Sequence, residues 1–214
     1  MYIKTLKIKN NKKIKTKSKN FFINNKLFTF LFIIFLLGFI CGNIMLKNKN
    51  NDLFRKATDL FTLNFNIRKE GSFFNIFTES IFSSFIFILI IFSTGLSAFG
   101  VTLTPPIIFL KGCCTGIFQN YLFQNFGVKG VLFFIFVILP GFLFSILATL
   151  LMAKEAIKIS NIFSSILINI KNWQNDEKYI KSYLIKTGCI LILVVISAFI
   201  DSTLNFLLFR FFSF

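Results

Sequence analysis

Two ionisable residues, Lys111 and Asp201, lie inside long apolar runs of the sequence and are its first candidates for chemistry. An ionisable side chain is costly in such surroundings, so it commonly marks an ion path, a proton relay or a buried pair. Lys111 falls about 8–10 Å from the start of its predicted helix, at 1.5 Å per residue. We therefore favour an ammonium that reaches back to lipid headgroups over one that contacts a substrate or an ion. Asp201 lies deep in its helix and either pairs with Lys111 or another polar group, or faces a water-filled cavity.

The absence of histidine and the placement of the cysteines argue against most familiar enzyme sites. Histidine is absent from all 214 residues, which excludes a Ser-His-Asp triad, an HExxH zinc site and an imidazole proton relay. Four cysteines fall within apolar segments, so they do not support a disulfide framework, and we interpret them as small packing residues. These are Cys41, Cys113, Cys114 and Cys189. Two isolated ionisable residues do not make a nucleophile with its base. We therefore expect no catalytic, cofactor-binding or metal-binding residues, and a protein that is not an enzyme.

The composition indicates that the apolar runs meet lipid. The chain is 55% hydrophobic with a mean hydropathy of +0.75 and a net charge of +16, a combination that a soluble domain of this size would hardly tolerate. Many lysines lie in residues 1–26, and others lie in loops beside apolar runs, whereas a nucleic-acid-binding protein would place them on a folded polar face. We expect membrane lipids as partners and no nucleic acid. The basic tail either lies on anionic lipid or only sets the orientation, and we favour the second.

Charge-free runs predict an all-α, polytopic membrane bundle of about five transmembrane helices. About 20 helical residues cover the hydrocarbon core of a bilayer, which is about 30 Å thick. We predict a cytoplasmic tail, 1–26, and one membrane domain, 27–214. The helices are expected at about 27–46, 76–99, 104–123, 131–153 and 185–209. Basic residues then favour the inner side, with the N-terminus in the cytoplasm. If the third helix were only re-entrant, segment 154–186 would move outside and reverse most of that bias, so five spans are preferred over four.

Small residues and one proline are candidates for helix packing or partner contact. Gly38 and Gly42 form a GxxxG pair, and Gly112 and Gly116 form another next to Lys111. Such pairs let helices approach closely, although two glycines also occur in membrane helices without that role, and for the first pair both interpretations stay open.

Pro140 predicts a kink in the fourth helix, whose freed carbonyl needs a partner in the bundle. Broken helices of this kind also line transporter sites.

Two polar segments separate the predicted helices. Segment 47–75 is the only outer segment large enough to meet a partner, and the alternative for it is an amphipathic helix resting on the bilayer. Segment 154–186 contains Trp173, Tyr179 and Tyr183, which we interpret as anchors at the membrane interface rather than as a binding cage.

The stretch from Pro105 to Pro140 resembles the stage II sporulation protein M family. The features that carry the resemblance are Phe-Leu-Lys-Gly at 109–112, a second glycine at 116, a Gly-x-x-Gly turn at 127–130 and Leu-Pro at 139–140. Chain length, the basic start and the first membrane helix are also similar to that family.

The resemblance implies an integral membrane protein of an endospore-forming mother cell. Such a protein acts with the sporulation proteins D and P in a complex that thins septal peptidoglycan and drives engulfment, on the mother-cell side of the septum. The partners cut the wall, and the M-like protein is a noncatalytic scaffold. The residues alone also support a second function, a permease or permease subunit, because Lys111, Asp201 and the Pro140 kink would give the bundle a polar interior. Neither line of reasoning indicates an oligomeric state.

Overall fold

A computed structural model describes residues 26–45, 68, 72–167 and 177–209, and almost all of these residues are helical. The predicted basic tail and most of segment 47–75 lie outside the described residues. The helices are α1 (Lys26–Met45), α2 (Phe73–Gly95), α3 (Gly100–Phe133), a π-helical turn (Phe134–Ile138), α4 (Leu139–Leu167) and α5 (Glu177–Leu208). The predicted all-α membrane-type fold is therefore confirmed.

Four helical segments are long and apolar enough to cross a membrane: Lys26–Met45, Phe73–Gly95, Gly100–Ile166 and Tyr179–Leu208. Large hydrophobic side chains on their outer faces are exposed, as expected where lipid replaces water; examples are Phe82 and Ile192. The structure thus has the helices of a multi-pass membrane protein.

The longest of these segments is interrupted at Gly127. Its backbone angles there are φ 57° and ψ −136°, a conformation essentially restricted to glycine. A Cβ at Gly127 would have no neighbour within 4 Å, so the backbone rather than crowding requires glycine. A Cβ at Gly130 would clash with the carbonyl of Leu122. Leu122 and Gly130 are eight residues apart, and a straight helix would separate them by about 12 Å. Their close approach shows that the chain folds back on α3 at Gly127.

Two helices begin earlier than predicted. α3 begins at Gly100 rather than near residue 104, so Pro105 and Pro106 lie inside the helix and not at its start. α5 begins at Glu177, eight residues before the predicted start at 185, because helical hydrogen bonding continues past the charge-free run.

The π-helical turn lies directly before Pro140, where a proline lacks its N–H and its ring crowds the preceding turn. The Ser197 hydroxyl of α5 donates to the carbonyl of Gly141 at 2.8 Å, so α5 supplies a hydrogen bond to this irregular region.

The main core of buried side chains joins α1, α2, α3, α4 and α5. It includes Leu31, Ile91, Ile108, Leu150 and Val194. A second, smaller apolar cluster lies around the Gly127 break, where Leu122 of α3 packs with Phe133 and Val137. These two clusters hold the helices around the polar residues described next.

Candidate functional site

Asp201 of α5 forms a buried ion pair with Arg68. The guanidinium donates two hydrogen bonds, from Nη1 to Oδ1 at 3.2 Å and from Nη2 to Oδ2 at 2.8 Å, and the Ser80 hydroxyl donates to Oδ2 as well. The two side chains are only 12% and 9% exposed. Burial lowers the pKa of Arg68, but attraction and hydrogen bonding to Asp201, together with Glu79, raise it above its ordinary value, so the guanidinium stays charged.

Asp201 therefore pairs with Arg68 and not with Lys111. Arg68 belongs to the predicted outer segment, and the sequence analysis did not identify it as a partner.

Lys111 points into the bundle. The residue is 4% exposed, and its Nζ donates to Ser145 Oγ at 3.1 Å and to Thr149 Oγ1 at 2.5 Å. Nζ also lies 5.2 Å from the centre of the Phe87 ring, within the range of a cation–π contact. The preference for an ammonium that reaches the headgroups was wrong. Ser145 and Thr149 lie one helical turn apart on α4 at the depth of Lys111. Their hydroxyls accept hydrogen bonds from the ammonium inside the bundle.

Glu79 is a further candidate that the sequence analysis passed over. It precedes Ser80 on α2, beside the Arg68–Asp201 pair, and its Oε2 is buried without a hydrogen-bond partner among the described residues. The sequence signal for it was weak, because Glu79 stands at the end of a charge-free run and looks like the boundary of a helix.

These residues line one cavity between α2, α3, α4 and α5, with a volume of about 180 Å³. Its charged residues are Arg68, Glu79, Lys111 and Asp201, and its hydroxyls include those of Ser80, Ser84, Ser145 and Ser197. The hydroxyls of Ser84 and Ser145 lie 2.7 Å apart and connect α2 to the lysine. The cavity thus places four ionisable side chains inside the bundle, between walls that are mainly apolar.

Gly38, Gly42, Gly112 and Gly116 meet at one crossing of α1 and α3. A Cβ on Gly112 or Gly116 would clash with the α1 backbone at the carbonyls of Phe35 and Phe39, and a Cβ on either α1 glycine would clash with the α3 backbone. The amide of Asn120 adds a hydrogen bond to the carbonyl of Asn43 at 2.6 Å. All four glycines therefore serve a contact within the chain.

The three aromatic residues interpreted as interfacial anchors do not behave alike. Tyr179 is 52% exposed, whereas Tyr183 is buried, stacks on Phe92 and donates its hydroxyl to the Phe92 carbonyl at 3.2 Å. The interpretation was therefore wrong for Tyr183, because α2 offers both a ring and a carbonyl at that position. Trp173 lies outside the described residues.

The fold and this cavity define a multi-pass helical membrane protein with a charged interior. A model of the family described as stage II sporulation protein M matches residues 7–204, which is almost the whole chain. The protein belongs to this family. The resemblance identified at residues 105–140 is thereby confirmed. No curated protein and no solved structure matches the chain significantly.

Proposed function

We propose that the protein is a noncatalytic membrane scaffold of a sporulation complex that remodels peptidoglycan, and that it is needed for septal thinning and engulfment. The observation that carries this proposal is the family match over residues 7–204. In this proposal, as the family resemblance implies, the sporulation proteins D and P cut the wall, and this chain holds them at the mother-cell side of the septum.

The geometry around Arg68 supports such a role. A scaffold must present its partner-binding segment in a fixed orientation, and the buried pair with Asp201 ties one end of segment 47–75 to α5. An arginine fork on a carboxylate fixes direction as well as distance, because two parallel hydrogen bonds restrain the guanidinium plane. In this proposal the segment contacts the partner enzymes.

The proposed arrangement in the cell membrane has five spans with the N-terminus in the cytoplasm. The break at Gly127 supports it, since a chain that folds back there divides Gly100–Ile166 into two membrane-spanning parts. Nine lysines in residues 1–26 then lie on the inner side, as the positive-inside rule favours.

The test is cross-linking and affinity recovery of a tagged copy from starved cells, followed by mass spectrometry. An unrelated multi-pass protein with the same tag is the control. We expect peptidoglycan-cleaving sporulation proteins anchored at the septum to be enriched over that control. Enrichment of an ATPase or a solute-binding protein instead would contradict the proposal.

A permease or permease subunit is the second candidate, and the polar cavity specifically favours it. The variants Lys111→Met and Asp201→Asn separate the two functions. Asp201→Asn removes one charge of a buried ion pair and lowers stability in either case, so the variants are compared at equal amounts of folded protein. In a scaffold they reduce partner recovery and leave solute flux unchanged, whereas in a permease they abolish flux and leave partner recovery unchanged.

A further inference from the structure

The cavity contains two ionisable groups, Lys111 and Glu79, that form no ion pair with a described side chain. Within the described ranges, Lys111 has hydroxyl and aromatic partners but forms no ion pair. Among the described residues, Glu79 Oε2 receives no hydrogen bond. Arg68 attracts Glu79, but its guanidinium donates both of its hydrogen bonds to Asp201 in the same cavity. What the described part of the site lacks is therefore an anion beside Lys111 and a hydrogen-bond donor to Glu79.

An uncompensated charge in a low-dielectric interior is unfavourable unless something pairs with it. An anion alone would satisfy Lys111 but would be repelled by the Glu79 carboxylate, and a cation alone would meet the opposite problem. A ligand that carries both charges matches both groups and leaves the cavity neutral.

The helix geometry sets the separation of the two groups. Ser80, next to Glu79, and Ser84, which connects to Lys111 through Ser145, are one turn apart on α2. Four residues of helix rise about 6 Å, so the carboxylate level and the lysine level are separated by about that distance. The cavity volume of about 180 Å³ accommodates a charged group of a few heavy atoms.

We propose that this cavity binds a small zwitterion, with its anionic group on Lys111 and its ammonium group on Glu79. The inference goes beyond the scaffold role and does not depend on it. This ligand chemistry has two sources, a free amino acid and the phosphoethanolamine headgroup of a lipid. Ser83 and Cys114 line the cavity and are exposed, so the site opens to the surface between α2 and α3.

The first experiment uses the full chain purified in detergent and three probes of similar size: alanine, propionate and ethylamine. Alanine carries both charges, and each of the others carries one. We expect only alanine to raise the unfolding temperature and to slow modification of Cys114 by a thiol reagent. Cys189 is exposed on α5 outside the cavity and serves as the internal control, with an unchanged modification rate.

A parallel arm addresses the lipid source. The protein is reconstituted in nanodiscs of phosphatidylethanolamine or phosphatidylglycerol, and retained lipid is measured by native mass spectrometry. Selective retention of phosphatidylethanolamine, without an effect of alanine, assigns the site to the headgroup. An effect of alanine assigns it to a free solute.

Matched variants inside and outside the cavity test whether the ligand binds there. Lys111→Met and Glu79→Gln should each weaken binding at least tenfold, whereas Lys129→Met and Glu155→Gln, the same changes outside the cavity, should not. Glu79→Gln keeps the size of the side chain and remains informative if Lys111→Met fails to fold. The proposal is overturned if neither zwitterion is preferred over its singly charged controls, or if Glu79→Gln binds as the parent does.

Discussion

At the scale of single residues, the Arg68–Asp201 pair is the most sensitive contact. Breaking a buried ion pair by removing one partner's charge leaves the other charge buried, at a cost of about 3–5 kcal/mol. We therefore expect Asp201→Asn to lower the free energy of unfolding by about that amount, because Arg68 is only 12% exposed. Chemical or thermal unfolding of the detergent-solubilised protein measures this loss.

A double variant tests whether the loss comes from the pair itself. Adding Arg68→Gln to Asp201→Asn removes the stranded charge, so the double variant should be more stable than the sum of the two single changes predicts. Glu155→Gln is the control. Glu155 accepts hydrogen bonds from Lys158 and Lys186, whose side chains are 34% and 49% exposed, so its loss should cost only about 1 kcal/mol or less. Additive effects of Arg68→Gln and Asp201→Asn would contradict the pairing.

The same residues mark how far the sequence could predict the site. Asp201 was a clear candidate, because a carboxylate deep in an apolar run needs a partner. Its partner could not be predicted, since Arg68 is 133 positions away in a segment interpreted as a partner-binding loop or a surface helix. For Lys111 the error was physical: distance to its own helix end suggested the headgroups, while two hydroxyls on α4 determine its direction.

At the scale of helices, the α1–α3 crossing depends on glycine. Gly112→Ala and Gly116→Ala would each place a methyl group against the backbone of α1, which must then move away. Overpacking of this kind typically costs about 1–3 kcal/mol, and the loss should appear as a lower unfolding temperature.

Gly188→Ala is the matched control for this crossing. A Cβ at Gly188 meets nothing within 4 Å, so this change should be neutral or should stabilise α5 by up to about 1 kcal/mol through helix propensity. If all three variants had the same stability, α1 and α3 would not pack through these glycines.

The turn at Gly127 gives a second prediction at this scale. Gly127→Ala introduces no steric contact but forces alanine into a backbone conformation that costs about 1–3 kcal/mol. The free energy of unfolding should therefore fall by that amount, although the added methyl group contacts no other residue. An unchanged unfolding temperature would mean that the backbone at 127 does not adopt this conformation. The sequence predicted this break, between helices at about 104–123 and 131–153, and a kink at Pro140. It did not predict that the irregularity before Pro140 takes the form of a π-helical turn.

At the scale of the whole molecule, the number of spans decides which surface meets each partner. In the five-span arrangement, Lys129 at the Gly127 break is outside the cell membrane, and segment 168–176 is inside. In a four-span arrangement with a re-entrant third helix, segment 168–176 moves outside. Segment 47–75 is outside in both arrangements, so the Arg68 end of the cavity lies near the outer surface in both. Only in the five-span arrangement does the Gly127 break lie on that same side.

Reporter fusions distinguish the two topologies. A reporter active only outside the membrane, inserted after Lys129 or within 168–176, should be active at the first site and inactive at the second. A reporter active only in the cytoplasm should give the opposite pattern. The reverse pattern, with the outer reporter inactive after Lys129 and active within 168–176, would contradict five spans and indicate a re-entrant third helix. With five spans, the Arg68 end of the charged cavity faces the outer side of the membrane, where the proposed partner enzymes and a zwitterionic ligand would reach this protein.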